Sequence, residues 1–171
     1  MKQVIDWKSV EEHFEVSSGI NLDIRDIIVR DCSLAEWDLL LQWLEKQDLE
    51  TFWTLDSEPA TPSFASAEDV FEERLKRTVA LYINIESVLI RAFFFHPSEI
   101  ELDFHASEID CQESLDTLVW FVLELGRLFS RQVVVSYSEV ADGQDWILKY
   151  HPDSRSFEVR TDRVPFDSPR P

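Results

Sequence analysis

Apolar positions along the chain follow two periods, and the places where one yields to the other mark the elements. Asp6 suits an N-cap, and Trp7, Val10 and Phe14 behind it fall at helical spacing. This predicts a short N-terminal helix over residues 6–15, ended by Ser17, Ser18 and Gly19. Residues 22–31 read as a strand. Ser33 followed by Glu36 makes a capping box for a helix over 33–46, whose Leu34, Trp37, Leu41 and Leu44 repeat every three to four residues with Leu40 alongside. A strand over 51–55 follows. Two prolines and several small residues mark 56–67 as a loop, and Val70, Phe71 and Leu75 predict a helix over 67–77. The next stretch is the richest in strand: 78–85 and 88–95 form a hairpin about Glu86 and Ser87, and 100–104 follows His96 and Pro97 as a third strand. A second long helix covers 114–130. Residues 131–137 and 145–150 form a hairpin closed by a loop containing Asp142 and Gly143, and 152–160 add an edge strand.

These elements predict an α+β fold, an antiparallel sheet with helices packed on one face. One domain over residues 1–164 and a frayed tail over 165–171 account for the length. A shift of 81 residues lays Ser33 and Leu34 on Ser114 and Leu115, and Ser57 and Glu58 on Ser138 and Glu139, each copy reading strand, capped helix, strand. Chance explains so few identities. A true duplication would give two β-α-β halves sharing one sheet, a ferredoxin-like arrangement. The second long helix carries Leu118 to Leu123 as an unbroken apolar run, more than the stripe that covers one sheet. It is therefore either enclosed on several sides, with the N-terminal helices as cover, or the contact of a homodimer around Trp120. Gly126 inside it costs about 1 kcal/mol against alanine and points to a close backbone approach.

Charge alters this picture more than the rest of the composition does. Sixteen Lys and Arg stand against 34 Asp and Glu, a net −18 over 171 residues. The excess is −10 over residues 1–77 and −8 over 78–151, while 152–171 is neutral, so the acidity belongs to the folded body. Such a surface repels nucleic acid and anionic membranes and attracts basic proteins, unless it serves solubility alone, as in many bacterial cytosolic proteins. Cys32 and Cys111 lack the spacing of a disulfide framework or a zinc site, and their acidic neighbours Asp31, Asp110 and Glu113 disfavour a thiolate. No apolar run follows Lys2, and none approaches the roughly 18 residues of a membrane span. The expectation is a cytoplasmic protein.

Enzyme signatures are missing. Gly19, Gly126 and Gly143 are too scattered for a phosphate-cradling loop, and there is no Gly-x-Ser-x-Gly elbow. Asp103 and His105 share a strand face, with His96 across a turn, a set that reads more simply as a solvated face than as a metal site. Neither cofactor nor metal is expected. From Ala92 to Gly126 there is no Lys or Arg, which speaks against nucleic acid. Alternation in 99–105 sends Ile100, Leu102 and Phe104 to the core. It sends Glu99, Glu101, Asp103 and His105 to the other face, successive side chains about 7 Å apart. Glu108, Asp110 and Glu113 continue the acidic run into a helix start, where the dipole favours negative charge, so part of the acidity is structural. These seven residues form the candidate partner-binding site.

The stretches Asp26-Ile-Ile-Val-Arg-Asp-Cys-Ser-Leu-Ala-Glu-Trp37 leading into a helix, the acidic strand 99–105, and Ser114-Leu-Asp-Thr-Leu leading into Arg131-Gln-Val-Val-Val-Ser-Tyr137 carry a resemblance. The chain resembles the small acidic immunity proteins of bacterial toxin–immunity systems over most of residues 22–150. The resemblance implies a protein that binds a toxin, often a basic nuclease, and blocks its active site. Three readings stand: an inhibitor whose acidic ridge enters a basic cleft, a regulatory or adaptor module dimeric through the helix around Trp120, and a small metal-dependent enzyme using the face of His105.

Overall fold

The computed structural model describes residues 4–16, 23–137 and 145–162. One antiparallel sheet runs through it, built from β1 (Ile24–Val29), β2 (Glu50–Leu55), β3 (Glu58–Ala60), β4 (Val79–Ile85), β5 (Val88–Ala92), β6 (Ile100–His105), β7 (Val133–Ser136), β8 (Trp146–His151) and β9 (Ser156–Val159). Its spatial order is β3-β2-β4-β5-β6-β1-β7-β8-β9. Three helices, α1 (Leu34–Lys46), α2 (Ala67–Arg74) and α3 (Gln112–Phe129), supply the cover. This is the α+β architecture that the alternating periods predict. The pairing sets β6 and β7 parallel on either side of β1, so β6-α3-β7 is a split β-α-β unit. The segment β1-α1-β2 instead steps over three strands. The two segments do not occupy equivalent places in the sheet, which departs from a ferredoxin-like duplication.

Alternation decides the faces. Ile27 and Val29 of β1, Leu81, Ile83 and Ile85 of β4, Ile90 of β5, Ile100, Leu102 and Phe104 of β6, and Val133 and Val135 of β7 enter one buried cluster with the helices. Trp37, Leu40, Trp43 and Leu44 of α1 face it at helical spacing. Trp37 is fully buried against Phe94, with centroids 4.6 Å apart, and against Phe71. The long apolar run of α3 is enclosed inside the chain: Leu118, Val119, Phe121, Val122 and Leu125 are buried, and Trp43 of α1 lies over Trp120 and Phe121. Gly126 is the close approach its position implied, since a Cβ there would stand 2.1 Å from Tyr150 Cδ1.

Several boundaries depart from the sequence pattern for physical reasons. The expected N-terminal helix is instead two 3-10 turns, Trp7–Ser9 and Glu11–His13, although Asp6 does cap the first. A ten-residue segment is too short to hold an α-helix alone, and this one is held from outside. Gln112 bonds the N–H of Trp7 and the carbonyl of Ile5, and the buried Arg25 guanidinium donates twice to the carbonyl of His13. Within residues 56–67, expected as loop, Asp56 and Ser57 both take positive φ and turn the chain back as β3. A hairpin turn of that kind without glycine or asparagine leaves no strong signal. α3 begins at Gln112, not at Ser114, because Ser114 caps backward: its Oγ accepts the N–H of Asp110 and Cys111. At α1, Ser33 Oγ accepts the N–H of Ala35 and donates to Glu36, a hydroxyl-to-carboxylate version of the expected box. The Asp142 and Gly143 loop and the expected tail lie outside the described residues.

Two predictions follow from this packing. Gly126→Ala should cost about 1–3 kcal/mol, the range of an overpacked core, read from the urea midpoint, and much of the loss should vanish in a Tyr150→Ala background. His13 is buried, with Nδ1 on the Tyr137 hydroxyl and Nε2 on the carbonyl of Arg160. Burial holds its pKa below the ordinary 6.5, and the charges of Arg160 and Arg25 push the same way against the bond to the Arg160 carbonyl. The unfolded chain therefore binds the proton more readily, and the His13 contribution is full above pH 6.5 and declines as the pH falls toward the lowered folded value. Urea titrations at stepped pH should give a shallower slope between about pH 5 and 7 for His13→Gln than for the wild type.

Candidate partner-binding surface

At one end of the sheet the exit of α1, the β4–β5 turn and the first turns of α3 converge on a groove of about 1060 Å³. Asp48 and Glu50 come from the first, Glu86 from the second, Glu113 and Asp116 from the third, and no Lys or Arg lines it. Leu49, Ile85 and the half-buried Trp120 give it an apolar floor. Neutral donors hold the carboxylates: Thr117 Oγ1 to Glu86 at 2.8 Å, Asn84 Nδ2 to Glu50 at 2.7 Å, and Gln112 Nε2 to Asp116 at 2.9 Å. Among the described residues none of the five forms an ion pair, unlike Glu73, Glu99 or Asp103.

Two of these acids sit where the fold alone would not choose them. Asp48 takes φ 54° just beyond the end of α1, a position that favours glycine. A negative charge there also opposes the carbonyl end of the helix. Glu86 takes φ 54° in a two-residue hairpin turn that likewise favours glycine. Glu113 and Asp116, by contrast, lie in the first turns of α3, where the helix itself rewards negative charge. Residues that break a local rule without a structural return cluster at functional surfaces; Glu86 gains the bond from Thr117 in return, so Asp48 weighs most.

The seven residues singled out from sequence do not share one surface. Glu99, Glu101, Asp103 and His105 do line the sheet face away from the helices, as alternation requires. Asp103, however, is bonded to Arg91 Nε at 2.5 Å, with less than a fifth of either side chain exposed, and Glu99 meets Arg30 at 3.3 Å. Glu101 is half-buried opposite Ile28, and His105 is exposed at the strand end. Glu108 accepts the N–H of Leu89. Burial pushes its pKa up, while that bond and one from the His105 backbone pull it down. Asp110 is exposed before α3, and Glu113 alone of the seven lines the groove. His96 pairs with Glu99 ahead of β6, at the opposite end of that strand from His105, so the two are not neighbours across a turn. No group of three or more metal-ligating side chains gathers among the described residues. Cys32 is half-buried, and desolvation raises its thiol pKa, opposed by the backbone of Ile100 and the charge of Arg131.

Asp48, Glu50 and Glu86 escaped the sequence reading because tertiary folding alone brings them to Glu113, whereas Asp116 is its neighbour one turn along α3. Comparison with models of known protein families, with curated proteins and with solved structures finds no match for the chain. No helix among the described residues is long and apolar enough to cross a membrane.

The test of the groove's special acids is a trade between stability and binding. Asp48→Gly should raise the urea-unfolding free energy by about 0.5–1 kcal/mol while weakening capture of a basic partner. A variant that loses stability would remove Asp48 from the argument.

Proposed function

We propose that the chain is a non-catalytic protein-binding domain, an inhibitor of the immunity type, that takes a basic partner in the groove between α1, the β4–β5 turn and α3. The observation that carries this reading is the set of five carboxylates around an apolar floor with no cation among them. An approaching Lys or Arg at about 4 Å from one such carboxylate gains between about 1 and 4 kcal/mol, depending on how much water remains. Trp120 adds an aromatic face of the kind on which a guanidinium rests. The net −18 extends the attraction to the encounter itself and raises the association rate.

The rival reading, a homodimer about Trp120, meets a cost in the same groove. A two-fold contact would set five carboxylates against their own copies. A toxin of basic character suits the groove better than a second copy does, and the likeness to immunity proteins points the same way.

A tagged chain presented to native cell extract at low salt should retain one basic protein and release it as salt rises. The joint variant Glu86→Lys with Asp116→Lys should lose about tenfold or more of that affinity, whereas Glu101→Lys on the open face should change it little. The reverse ranking would move the interface to β6, and a chain that is dimeric and retains nothing would sink the inhibitor reading. Asp103 is a poor target for charge reversal, since a lysine there would face Arg91 inside the sheet.

A further inference from the structure

The sheet face opposite the helices carries a second hollow, of about 570 Å³, that runs along β7 and β8 to the strand ends away from the acidic groove. Strand register builds its floor. Ile28 of β1 pairs with Val134 of β7, which pairs with Lys149 of β8, and all three side chains point to the open face. One step along, Ser136 pairs with Trp146 and closes the inner side. Arg30, leaving β1, and Arg131, entering β7, stand at the outer rim.

The charge of this hollow runs against the rest of the chain. Three cations, Arg30, Arg131 and Lys149, meet two carboxylates, Asp31 and Asp153, in a protein of net −18. Lys149 Nζ lies 4.2 Å over the Trp146 ring and has no carboxylate partner among the described residues. Arg131 reaches Glu36 with Nη2 at 3.3 Å, and its Nε is buried with no acceptor among the described residues. The carbonyl end of α3 at Ser130 works against an anion with about half a charge, and Glu99 and Glu36 already hold Arg30 and Arg131, so Lys149 is the cation that an anion would meet. The volume falls within the range of about 300–1,000 Å³ typical of small-molecule sites, with the usual mixture of apolar floor and few converging polar groups.

We infer that this hollow binds a small organic anion, its carboxylate or phosphate at Lys149 and its flat apolar body on Ile28 and Val134. The site is separate from the acidic groove and needs no protein partner.

The experiment uses 2-naphthoate and 2-naphthyl phosphate as probes, with neutral 2-naphthalenemethanol as control, each titrated into the full chain and followed by amide chemical shifts. Expected are saturable shifts from one or both acids at the amides of Ile28, Val134 and Lys149, with none from the neutral arene. The tighter of the two acids names the anionic group. Lys149→Gln should weaken binding about tenfold, the scale of one charge-assisted contact, with unchanged thermal unfolding. Val134→Trp, which fills the floor, should abolish it. Shifts that do not saturate, equal binding of the neutral arene, or indifference to Lys149→Gln and Val134→Trp would each overturn the proposal.

Discussion

Keeping one face of a nine-stranded sheet dry with three helices is the constraint on which the rest of this molecule depends. Nine strands at about 4.8 Å spread over roughly 38 Å, whereas three helices about 10 Å apart cover roughly 30 Å. One of the three, α2, has only eight residues. The shortfall is met with aromatic bulk and with chain that is not helix. Trp37, Phe71, Phe94 and Trp53 lock α1 and α2 over the β2–β5 half. The N-terminal turns bring Ile5, Val10 and Phe14 into the core over the other half, with Phe14 against Phe104. The cost is visible in places: Trp37 Nε1 is buried with no hydrogen-bond partner among the described residues, and Phe94 holds φ 56° with its ring in the core.

The same constraint explains α3. A helix that covers one sheet needs an apolar stripe, but α3 runs between the sheet, α1 and the N-terminal turns, and so its apolar face is wide and only a stripe through Glu113, Asp116, Glu124 and Arg127 is charged. Its contact with the sheet is so close that only glycine fits opposite Tyr150. Its two ends then fall on different surfaces. The amide end carries Glu113 and Asp116 into the groove, and the carbonyl end leads through Ser130 to Arg131 at the cationic hollow. The helix dipole favours this order of charges at both ends, so a device that serves packing also sorts the charge.

Much of the fold was legible in the sequence, because periodicity reports burial directly. The β4–β5 hairpin, the alternation in β6 and the closing β8 and β9 strands are where the pattern predicts strand, although β5 stops at Ala92 and β9 covers only Ser156–Val159. What the pattern missed is non-local. The N-terminal segment has helical spacing, but its shape is imposed by Gln112 and Arg25. The Asp56 and Ser57 turn has no glycine to announce it. The acidic run through 99–113 was easy to see as a line of charge, yet a line in sequence is not a surface. Arg91 and Arg30 reach across the sheet to Asp103 and Glu99, whereas Glu86 and Asp48, far apart in the chain and from that run, meet at one groove.

Screening lets the two ends of the molecule act independently. A six-residue strand such as β6 is about 20 Å long, and the Debye length at physiological salt is about 8 Å. The groove and the Arg30 and Arg131 rim of the hollow, at opposite strand ends, therefore lie about two screening lengths apart, and neither strongly feels the other's charge. A net −18 would repel an anion from the whole surface only at low salt. Under physiological conditions what an approaching molecule meets is local: five carboxylates without an ion pair among the described residues at one end, and at the other a Lys149 lying over the face of Trp146. Total charge governs how the chain meets its partners from afar, but placement by the sheet decides what each end can hold.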